Sequence, residues 1–548
     1  DVDPLFISAS ENNFHLLATS QMINAGHPDS LDTDGSVADM GAYFYENYYT
    51  GPTWYISESG DNATATGEIG NPFRSIQAGI NFSNPSDSVY VESGTYVENI
   101  TIRKNINLIG EDRETTIIDG TGGRNIVTVE NTSAFYIYGF TIQNADLQEI
   151  EGLNSEGGGI RLLGNTGVVI DNILFQNNQA NFGGALAIYG SPYTTVKNSI
   201  FTNNNSFQST VNINSEGSLF KNCLFYGNTS SGSVIQYYNI QEENPVPAII
   251  DRCTIVNNNE AGVSASNATG NDIYHIANSI LENNSGDWAF EIGNFDNSTP
   301  IFHVSYSYVN GGNSSVADID NSGNDNADGT MTVNWDNVFF ELDPMFVDAQ
   351  NANYQLLGDS QLIDAGHPDS LDVDGTIADI GAFYYDQFGM PVRTKDIVTT
   401  QDGVSIELDW TDAQESNFSY YKVYRSLDVE EDWYSATLHA YAFSSVYIDE
   451  AVDEDVTYFY RVSTVDSDND EGLLGFMRHG RLSFDNTSVK LSGAIGRVEN
   501  LTPIYSGDPY TLEGFFKFDA DETERDVFGF PTELELKKSA VGDSIQLQ

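Results

Sequence analysis

The sequence predicts an all-β protein whose largest part is a parallel β-helix, a solenoid built from short stacked strands. The first observation is a repeat of about 24 to 30 residues: DNILFQNN, KNSIFTNN, KNCLFYGN, DRCTIVNN and ANSILENN begin at Asp171, Lys197, Lys221, Asp251 and Ala277. The second is that each segment alternates apolar with polar residues and ends in Asn, which tolerates the left-handed backbone of a turn. The third is that no amphipathic helix fits between the segments. Each unit is therefore expected to form one coil that pairs with the coils above and below.

Stacking of the coils makes equivalent positions neighbours along the solenoid axis. One column reads Ile173, Ser199, Cys223, Cys253 and Ser279, and a second reads Phe175, Phe201, Phe225, Ile255 and Leu281. Strand alternation puts both columns on one face, which we expect to point inward. The asparagines that precede the first column are expected to form a ladder at a bend, which Arg252 interrupts: Asn172, Asn198, Asn222 and Asn278.

Cys223 and Cys253, the two cysteines of the chain, fall at one stacked position in adjacent coils. That is near enough in principle for a disulfide. Because Ser fills the same position in other coils, we favour two buried free thiols acting as small apolar side chains.

The composition excludes several classes of function. Lys and Arg number 22 against 80 Asp and Glu, which gives a formal net charge of -58. Such a charge opposes contact with a phosphate backbone or an anionic lipid surface, so nucleic acid is not expected as a partner. No uninterrupted apolar run reaches about 18 residues, the minimum for a membrane helix, so no membrane insertion is expected.

A second, longer repeat brackets the coils. Residues 2–45 match residues 342–385 without a gap, with about 25 of 44 positions identical. Because the second copy follows the coils, the first is expected to close a preceding β-helix. Residues 1–46 are therefore predicted to be the C-terminal cap of a truncated β-helix.

Before the coils, NPFRSIQAGI predicts a short amphipathic helix near residues 71–80, with Asn71 as the N-cap and Pro72 in the first helical position. Such a helix would cover the open end of the solenoid. The order of this segment, SGTYVENI from Ser93, the Asn-rich coils and the closing DIGA from Asp379 resembles the right-handed parallel β-helix proteins of the pectate-lyase-like superfamily. The resemblance covers about residues 53–386 and implies a right-handed β-helix there. It says little about activity.

After Met390 the pattern changes to alternating strands separated by turn residues, as expected for a β-sandwich. Residues 391–477 resemble a fibronectin type III domain, with Trp410 in its second strand and Tyr458 in the position of its conserved corner tyrosine. Residues 480–548, with LSFDNTSVKL and YTLEGFFKF, resemble the start of a laminin-G or concanavalin-like jelly roll that is cut short. The predicted order is thus a β-helix, an immunoglobulin-like β-sandwich and a partial jelly roll.

One local motif could hold a metal ion. D-x-D-G-x-x-x-D occurs in both copies of the long repeat, and its carboxylates are hard oxygen ligands that suit Ca²⁺: Asp32, Asp34, Asp39, Asp372, Asp374 and Asp379. The alternative is that these carboxylates accept backbone N–H groups and brace the turns. Calcium is the one cofactor that the sequence suggests.

A basic line is the other candidate site. Lys197 and Lys221 share a stacked position, with Arg252 one place further along, so the three could contact an anionic chain. Nearby acids compensate each of them, and a solvated ladder is the favoured interpretation. No catalytic residues are assigned, since Asp171 and Asp251 share a column but lie several coils apart.

These features favour a non-catalytic fragment of a large secreted or cell-surface protein, of bacterial origin, that binds polysaccharide or cell-surface glycan and acts in adhesion. The alternative is a polysaccharide lyase or glycoside hydrolase that acts on an outer face of the β-helix. Aromatic side chains exposed on one face of the solenoid would support the first hypothesis, because sugars stack on them.

Overall fold

The computed structural model describes most of residues 3–481, with interruptions, and the backbone of three later strands. The described ranges are 3–120, 123–147, 155–238, 246–266, 272–284, 291–294, 299–318, 331–387, 390–402, 404–413, 417–427, 433, 438–453, 456–475, 477–481, 526–529, 535–538 and 545–547. The expected jelly-roll segments LSFDNTSVKL and YTLEGFFKF lie outside them.

A parallel β-solenoid with three sheets forms the main body, in agreement with the prediction. Sheet A comprises Thr53–Ile56, Ser88–Val91, Asn107–Gly110, the first halves of Phe135–Gln143 and Val168–Gln176, Thr195–Lys197, Leu219–Lys221, Ala248–Asp251, Ile273–Ala277, Ile301–Ser305 and Thr332–Asp336. Sheet B comprises Gly94–Val97, Thr116–Asp119, the second halves of those two long strands, Ile200–Thr202, Leu224–Tyr226, Thr254–Val256, Ile280–Glu282 and Tyr308–Val309. Sheet C comprises Ile100–Ile102, Val127–Glu130, Ile160–Leu163, Leu186–Tyr189, Ser209–Asn214, Thr229–Tyr238, Asn259–Ser266, Ile292–Asn294 and Val316–Asp318, with the short strands Gln179–Ala180 and Asn205–Ser206 beside it.

The expected inward columns are confirmed. Every residue of the two columns is fully buried, and the rings of Phe175, Phe201 and Phe225 stack with centroids 4.6 and 4.5 Å apart. These rings and the aliphatic side chains of the other two sheets form the solenoid core. Burial of such stacked apolar columns is what holds successive coils together.

The bend between sheets A and B has the left-handed backbone that the asparagine column predicted. Asn198, Asn222 and Arg252 have φ values of 53°, 52° and 51°. The side-chain ladder is only partly formed: Asn222 Nδ2 donates to Asn198 Oδ1 at 3.2 Å, whereas Asn198 Nδ2 donates to Asp171 Oδ1 at 2.8 Å. The carboxylates beside the bend therefore take over as acceptors from the neighbouring amides.

A continuous asparagine ladder lies instead at the next bend, between sheets B and C. It consists of the last Asn of each coil segment, and all five side chains are buried: Asn178, Asn204, Asn228, Asn258 and Asn284. Each Oδ1 after the first accepts from the backbone N–H and the Nδ2 of the preceding asparagine, at 2.8–3.4 Å. The Glu291 carboxylate ends the ladder by accepting both donors of Asn284.

The predicted capping helix exists, but its expected start at Asn71 and Pro72 is wrong. The helix is Ile76–Phe82, with Ser75 as the N-cap residue. Phe73 instead pairs with the first strand of sheet A, because its N–H donates to the Tyr55 carbonyl at 3.0 Å. The half-buried Glu98 carboxylate accepts the N–H groups of Ile76 and Gln77 at 2.7 and 3.1 Å, so a distant side chain provides the cap.

The two long repeats, called module 1 (residues 3–45) and module 2 (residues 343–385), fold in the same way. Each contains two short antiparallel strands around one 3₁₀ turn: Phe6–Ser8, Ala9–Glu11 and Asn13–Leu16 in module 1, Phe346–Asp348, Ala349–Asn351 and Asn353–Leu356 in module 2. Module 1 packs beside the Ile76–Phe82 helix, and module 2 packs on the outer flank of sheet B.

Antiparallel sheets follow the β-helix. One contains Val398–Asp402, Ser405–Asp409 and Val446–Asp449, and the other contains Leu438–Ala442, Phe418–Ser426, Thr457–Asp466 and Arg478–Arg481. They share a core with Trp410, Tyr421 and Tyr460 at its centre, as in a β-sandwich. Three short strands form a further antiparallel sheet: Asp526–Gly529, Glu535–Lys538 and Ile545–Leu547.

Cys223 and Cys253 are free and fully buried, as favoured from the sequence. The Cys223 thiol donates to the Lys221 carbonyl at 3.3 Å, and the Cys253 thiol to the Asp251 carbonyl at 3.5 Å. Burial raises the pKa of Cys253 well above its usual value, and the adjacent Cys223 thiol raises it further. Both side chains are fully buried and act as small apolar groups.

Candidate functional site

The outer surface of sheet A carries two parallel columns of side chains along the solenoid axis, and we call it the sheet A face. Outward and inward residues alternate along its strands, so every second residue is available to a ligand. The first column reads Tyr55, Tyr90, Ile109, Tyr138, Asp171, Lys197, Lys221 and Asp251. Successive residues in it are separated by one strand spacing, about 4.8 Å.

Tyrosines dominate the N-terminal end of the sheet A face. The rings of Tyr55 and Tyr90 have centroids 5.9 Å apart, and those of Tyr136 and Tyr138 lie 6.3 Å apart and nearly parallel. Tyr138 is exposed, and Tyr136 donates its hydroxyl to Asp171 Oδ2 at 3.0 Å. Burial and the Asp171 charge raise the pKa of Tyr136 to about 12, so this hydroxyl stays a donor. The result is a row of aromatic rings with polar edges.

Charged residues occupy the middle of the face, where the predicted basic line lies. Lys197 Nζ is 3.2 Å from Asp171 Oδ2, and Lys221 Nζ is 3.7 Å from Asp251 Oδ2. The column is thus acid, base, base, acid, with each ammonium group beside a carboxylate. This arrangement is the compensated ladder that the sequence favoured, and it has no net charge.

Two histidines lie in the second column, which reads Tyr136, Val169, Thr195, Leu219, Ile249, His275 and His303. His275 and His303 stack with ring centroids 5.2 Å apart and an interplanar angle of 17°. Partial burial lowers the pKa of His275, and the neighbouring His303 lowers it further. The neutral form of His275 is therefore favoured.

Arg252, the third residue of the predicted basic line, has its Nε 3.9 Å from Asp251 Oδ2 and extends to module 2. Its Nη1 lies 3.1 Å from Asp372 Oδ1, and its Nη2 donates to the Leu371 carbonyl at 3.2 Å. The side chain therefore joins the coils to module 2. A cleft of about 450 Å³ lies beside this contact, lined among others by Arg113, Asn198 and Tyr384.

The six aspartates of the D-x-D-G-x-x-x-D motif brace the turns of the two modules. In module 2, Asp379 accepts the N–H groups of Asp364 and Tyr385, and its own N–H donates to Asp372 Oδ2 at 2.7 Å. Asp374 accepts the N–H groups of Thr376 and Gln387 at 3.1 and 2.8 Å.

Module 1 repeats this network with Asp32, Asp34 and Asp39. In both modules the carboxylates accept backbone N–H groups, which is the turn-bracing role given above as the alternative to calcium. Calcium at these loops stays a prediction.

The chemistry that the sheet A face can perform follows from its spacing. Asp171 and Asp251 are three strands apart, about 14 Å, which exceeds the separation of the two carboxyl groups in glycosidases. Over the described ranges, no group of three or more His, Cys, Asp or Glu side chains is arranged to hold a metal ion. None of the helices in those ranges is long and apolar enough to cross a membrane. The face offers stacking surfaces and hydrogen-bonding groups, which is the composition of a binding surface.

Comparison with known proteins identifies the class of the solenoid. A family model described as a right-handed beta helix region matches residues 125–302. The coils of this chain are therefore a right-handed parallel β-helix. None of the curated protein sequences compared matches the chain.

Solved structures with similar folds have low sequence identity to the chain. Pectate lyase Pel9A is 16% identical with a TM-score of 0.41, over 61% of this chain and 96% of its own. A rhamnogalacturonan lyase is 13% identical with a TM-score of 0.41, over 60% and 95%. An Fn3-like protein from Clostridium thermocellum is 24% identical with a TM-score of 0.15, over 17% of this chain and 92% of its own. Likeness at this level says nothing about the activity of this chain.

Proposed function

We propose that this chain binds a neutral polysaccharide along the sheet A face without cleaving it, as part of a secreted or cell-surface adhesive protein. The observation that carries the proposal is the row of Tyr55, Tyr90, Tyr136 and Tyr138 on one outer face. The C–H groups of a pyranose ring pack on aromatic faces, and phenol hydroxyls bond sugar hydroxyls. A row aligned with the axis suits an extended chain.

The charge distribution supports a neutral ligand over an anionic one. Lys197 and Lys221, the cations of the first column, lie beside Asp171 and Asp251. The chain as a whole carries a formal net charge of -58, which repels a polyanion at low salt. A neutral polysaccharide meets neither obstacle.

Absence of cleavage is proposed because Asp171 and Asp251, the two carboxylates of the first column from Tyr55 to Asp251, are further apart than the carboxyl pair of a hydrolase. Asp379, the carboxyl beside the cleft whose pKa burial raises to about 7, spends both oxygens on backbone N–H groups of its own module. A carboxyl held in this way braces a turn rather than accepting a proton from a ligand.

The domains that follow module 2 support the proposal of an extracellular adhesive protein. We assign residues 391–477 to a fibronectin type III-like domain, since its two antiparallel sheets share one core and Tyr458 Oη accepts the Asp453 N–H at 3.0 Å. This is the corner contact expected from the sequence. Domains of this architecture are frequent at cell surfaces, and the laminin-G-like assignment of residues 480–548 belongs to the same proposal.

The test is co-sedimentation of the full chain with insoluble neutral and acidic polysaccharides, with a parallel assay for new reducing or unsaturated ends. Tyr138→Ala removes the most exposed ring of the row and is expected to weaken binding about 2- to 10-fold. Phe207→Ala is the matched control, because Phe207 is an exposed aromatic residue on another side of the same solenoid.

Binding of a neutral polysaccharide that Tyr138→Ala weakens and Phe207→Ala does not would support the proposal. Equal losses in both variants would place the binding surface elsewhere. New chain ends that Lys197→Ala or Lys221→Ala abolishes would favour the lyase or hydrolase alternative instead.

A further inference from the structure

The two modules contact the domain that follows them through the same two carbonyl groups. In module 1, the carbonyls of Ala18 and Ser20 accept Asn81 Nδ2, each at 3.0 Å, from the capping helix of the β-helix. In module 2, the equivalent carbonyls of Gly358 and Ser360 accept the guanidinium of Arg393, at the start of the β-sandwich region. This side of each module therefore contacts the next domain through the same two backbone positions.

The opposite side of module 2 is docked on the flank of sheet B. Its Gly381 N–H donates to the Asn278 carbonyl at 2.8 Å, and its Ala382 N–H donates to Thr254 Oγ1 at 2.9 Å. Gly381 has a φ of 121°, which favours glycine, and a Cβ there would lie 2.8 Å from Ile280 Cδ1. We call this side the docking face.

Apolar side chains and one ion pair complete the docking of module 2. Tyr354 is 4% exposed and Ile380 is 0% exposed, and both pack in one cluster with Leu224, Ile280 and Tyr308 of sheet B. The Arg252 guanidinium beside Asp372, described above, lies at the edge of the same contact.

The docking face of module 1 has nearly the same residues but is open. Phe14 and Met40, the equivalents of Tyr354 and Ile380, are 43% and 51% exposed, and Tyr43, the equivalent of Phe383, is 49% exposed. Gly26, His27, Leu31, Asp32, Gly41 and Ala42 are identical to their module 2 counterparts. Exposed apolar side chains at an otherwise retained interface mark a docking surface.

We propose that the docking face of module 1 binds the sheet B flank of a further parallel β-helix that precedes it in the same polypeptide. Module 2 shows the geometry, because the flank that it covers belongs to the β-helix preceding it in sequence. The partner flank carries an aliphatic and aromatic column for Phe14 and Met40, and an arginine for Asp32. A second copy of this chain is a poorer occupant, because its own flank is already covered by module 2.

The test grafts residues 3–45 in place of residues 343–385 of the full chain, so that the docking face of module 1 meets a known flank. Hydrogen exchange of the Thr254–Val256 and Ile280–Glu282 strands and binding of a hydrophobic dye report whether the flank is covered. The grafted chain is expected to keep the flank as protected as in the parent. The same graft carrying Met40→Asp is expected to expose it, with exchange at least about 10-fold faster.

A folded graft with an exposed flank would overturn the proposal, and so would a Met40→Asp graft whose flank stays covered. If the graft does not fold, a second variant replaces it. The full chain with Tyr354→Phe, Ile380→Met and Phe383→Tyr has the module 1 residues at these three positions of the docking face. Exposure of its flank would also overturn the proposal. The parent chain could instead form a dimer that Met40→Asp abolishes. In that case the docking face of module 1 would bind a second copy of the chain and not a preceding β-helix.

Discussion

Glu260 makes the stability of the β-helix depend on pH, and Glu260→Gln tests this. The Glu260 side chain is fully buried beside sheet C, where it accepts the Thr210 hydroxyl at 2.6 Å and the Ser230 hydroxyl. Burial raises its pKa from the ordinary 4.5 to about 7, although these two hydrogen bonds oppose the shift. The folded state therefore binds this proton more tightly than the unfolded chain does.

The sign and size of the effect follow from this shift. For a carboxyl with a raised folded pKa, the stabilisation is fully present below pH 4.5 and is lost as the pH rises through about 7. A pKa raised from 4.5 to about 7 changes the free energy of unfolding by about 3 kcal/mol, and most of this change falls between pH 5 and pH 8. Glutamine has the shape of the protonated acid, and its N–H groups take the place of the acid O–H as donors. Glu260→Gln should therefore remove this pH dependence and stabilise the protein at pH 8.

Hydrogen exchange measures the effect locally, which matters because solenoids need not unfold in one step. Opening free energies of the Ser209–Asn214 and Asn259–Ser266 strands are compared at pH 5 and pH 8. Glu341→Gln, at an exposed position, is the matched control and cancels the intrinsic pH dependence of exchange. If Glu260→Gln and the control lose stability in parallel between pH 5 and pH 8, the reasoning is refuted.

Three further predictions concern the core and the modules. Asn228→Ala removes two buried donors and two buried acceptor contacts from the asparagine ladder. It should lower the free energy of unfolding of the solenoid, measured by urea denaturation, by about 3 to 5 kcal/mol. An effect under about 1 kcal/mol would contradict the ladder's role. The thiols of Cys223 and Cys253 should react with a thiol reagent only after denaturation, and fast labelling of the native chain would show that the coils open locally. Asp379→Asn should lower the melting temperature, because the Asp379 carboxylate accepts backbone N–H groups, whereas a calcium chelator should leave it unchanged. A change of melting temperature with the chelator would establish a metal at these loops.

The prediction of the core depended on patterns that are local in the chain. The columns of Phe175, Phe201 and Phe225 could be predicted because period-two alternation decides which residues point inward. The left-handed bend at Asn198 and Asn222 could be predicted because few residues other than Asn and Gly adopt it readily. The buried ladder through Asn228 had an equally clear signal, the closing Asn of each segment, but the sequence did not show that this second asparagine turns inward.

Contacts between segments that are distant in the sequence were harder to predict. The start of the capping helix was misplaced, because the pairing of Phe73 with Tyr55 competes with helix formation. Arg252 was grouped with Lys197 and Lys221 by its place in the repeat, whereas its partner Asp372 lies 120 residues away. The sheet A tyrosines come from strands of three different coils, and only the register of those coils brings them together on one face.

The sequence by itself determined that this protein is a stack of β-coils flanked by two copies of one module, because strand alternation and turn residues act over a few neighbouring positions. The tertiary structure decided which outer surface collects the tyrosines, which carboxyls are buried with raised pKa values, and which side of each module meets a β-helix. Those outcomes depend on the register of the coils and on the shape of their flank. Shape complementarity between surfaces is a property of the folded chain, so no pattern within a single segment could contain it.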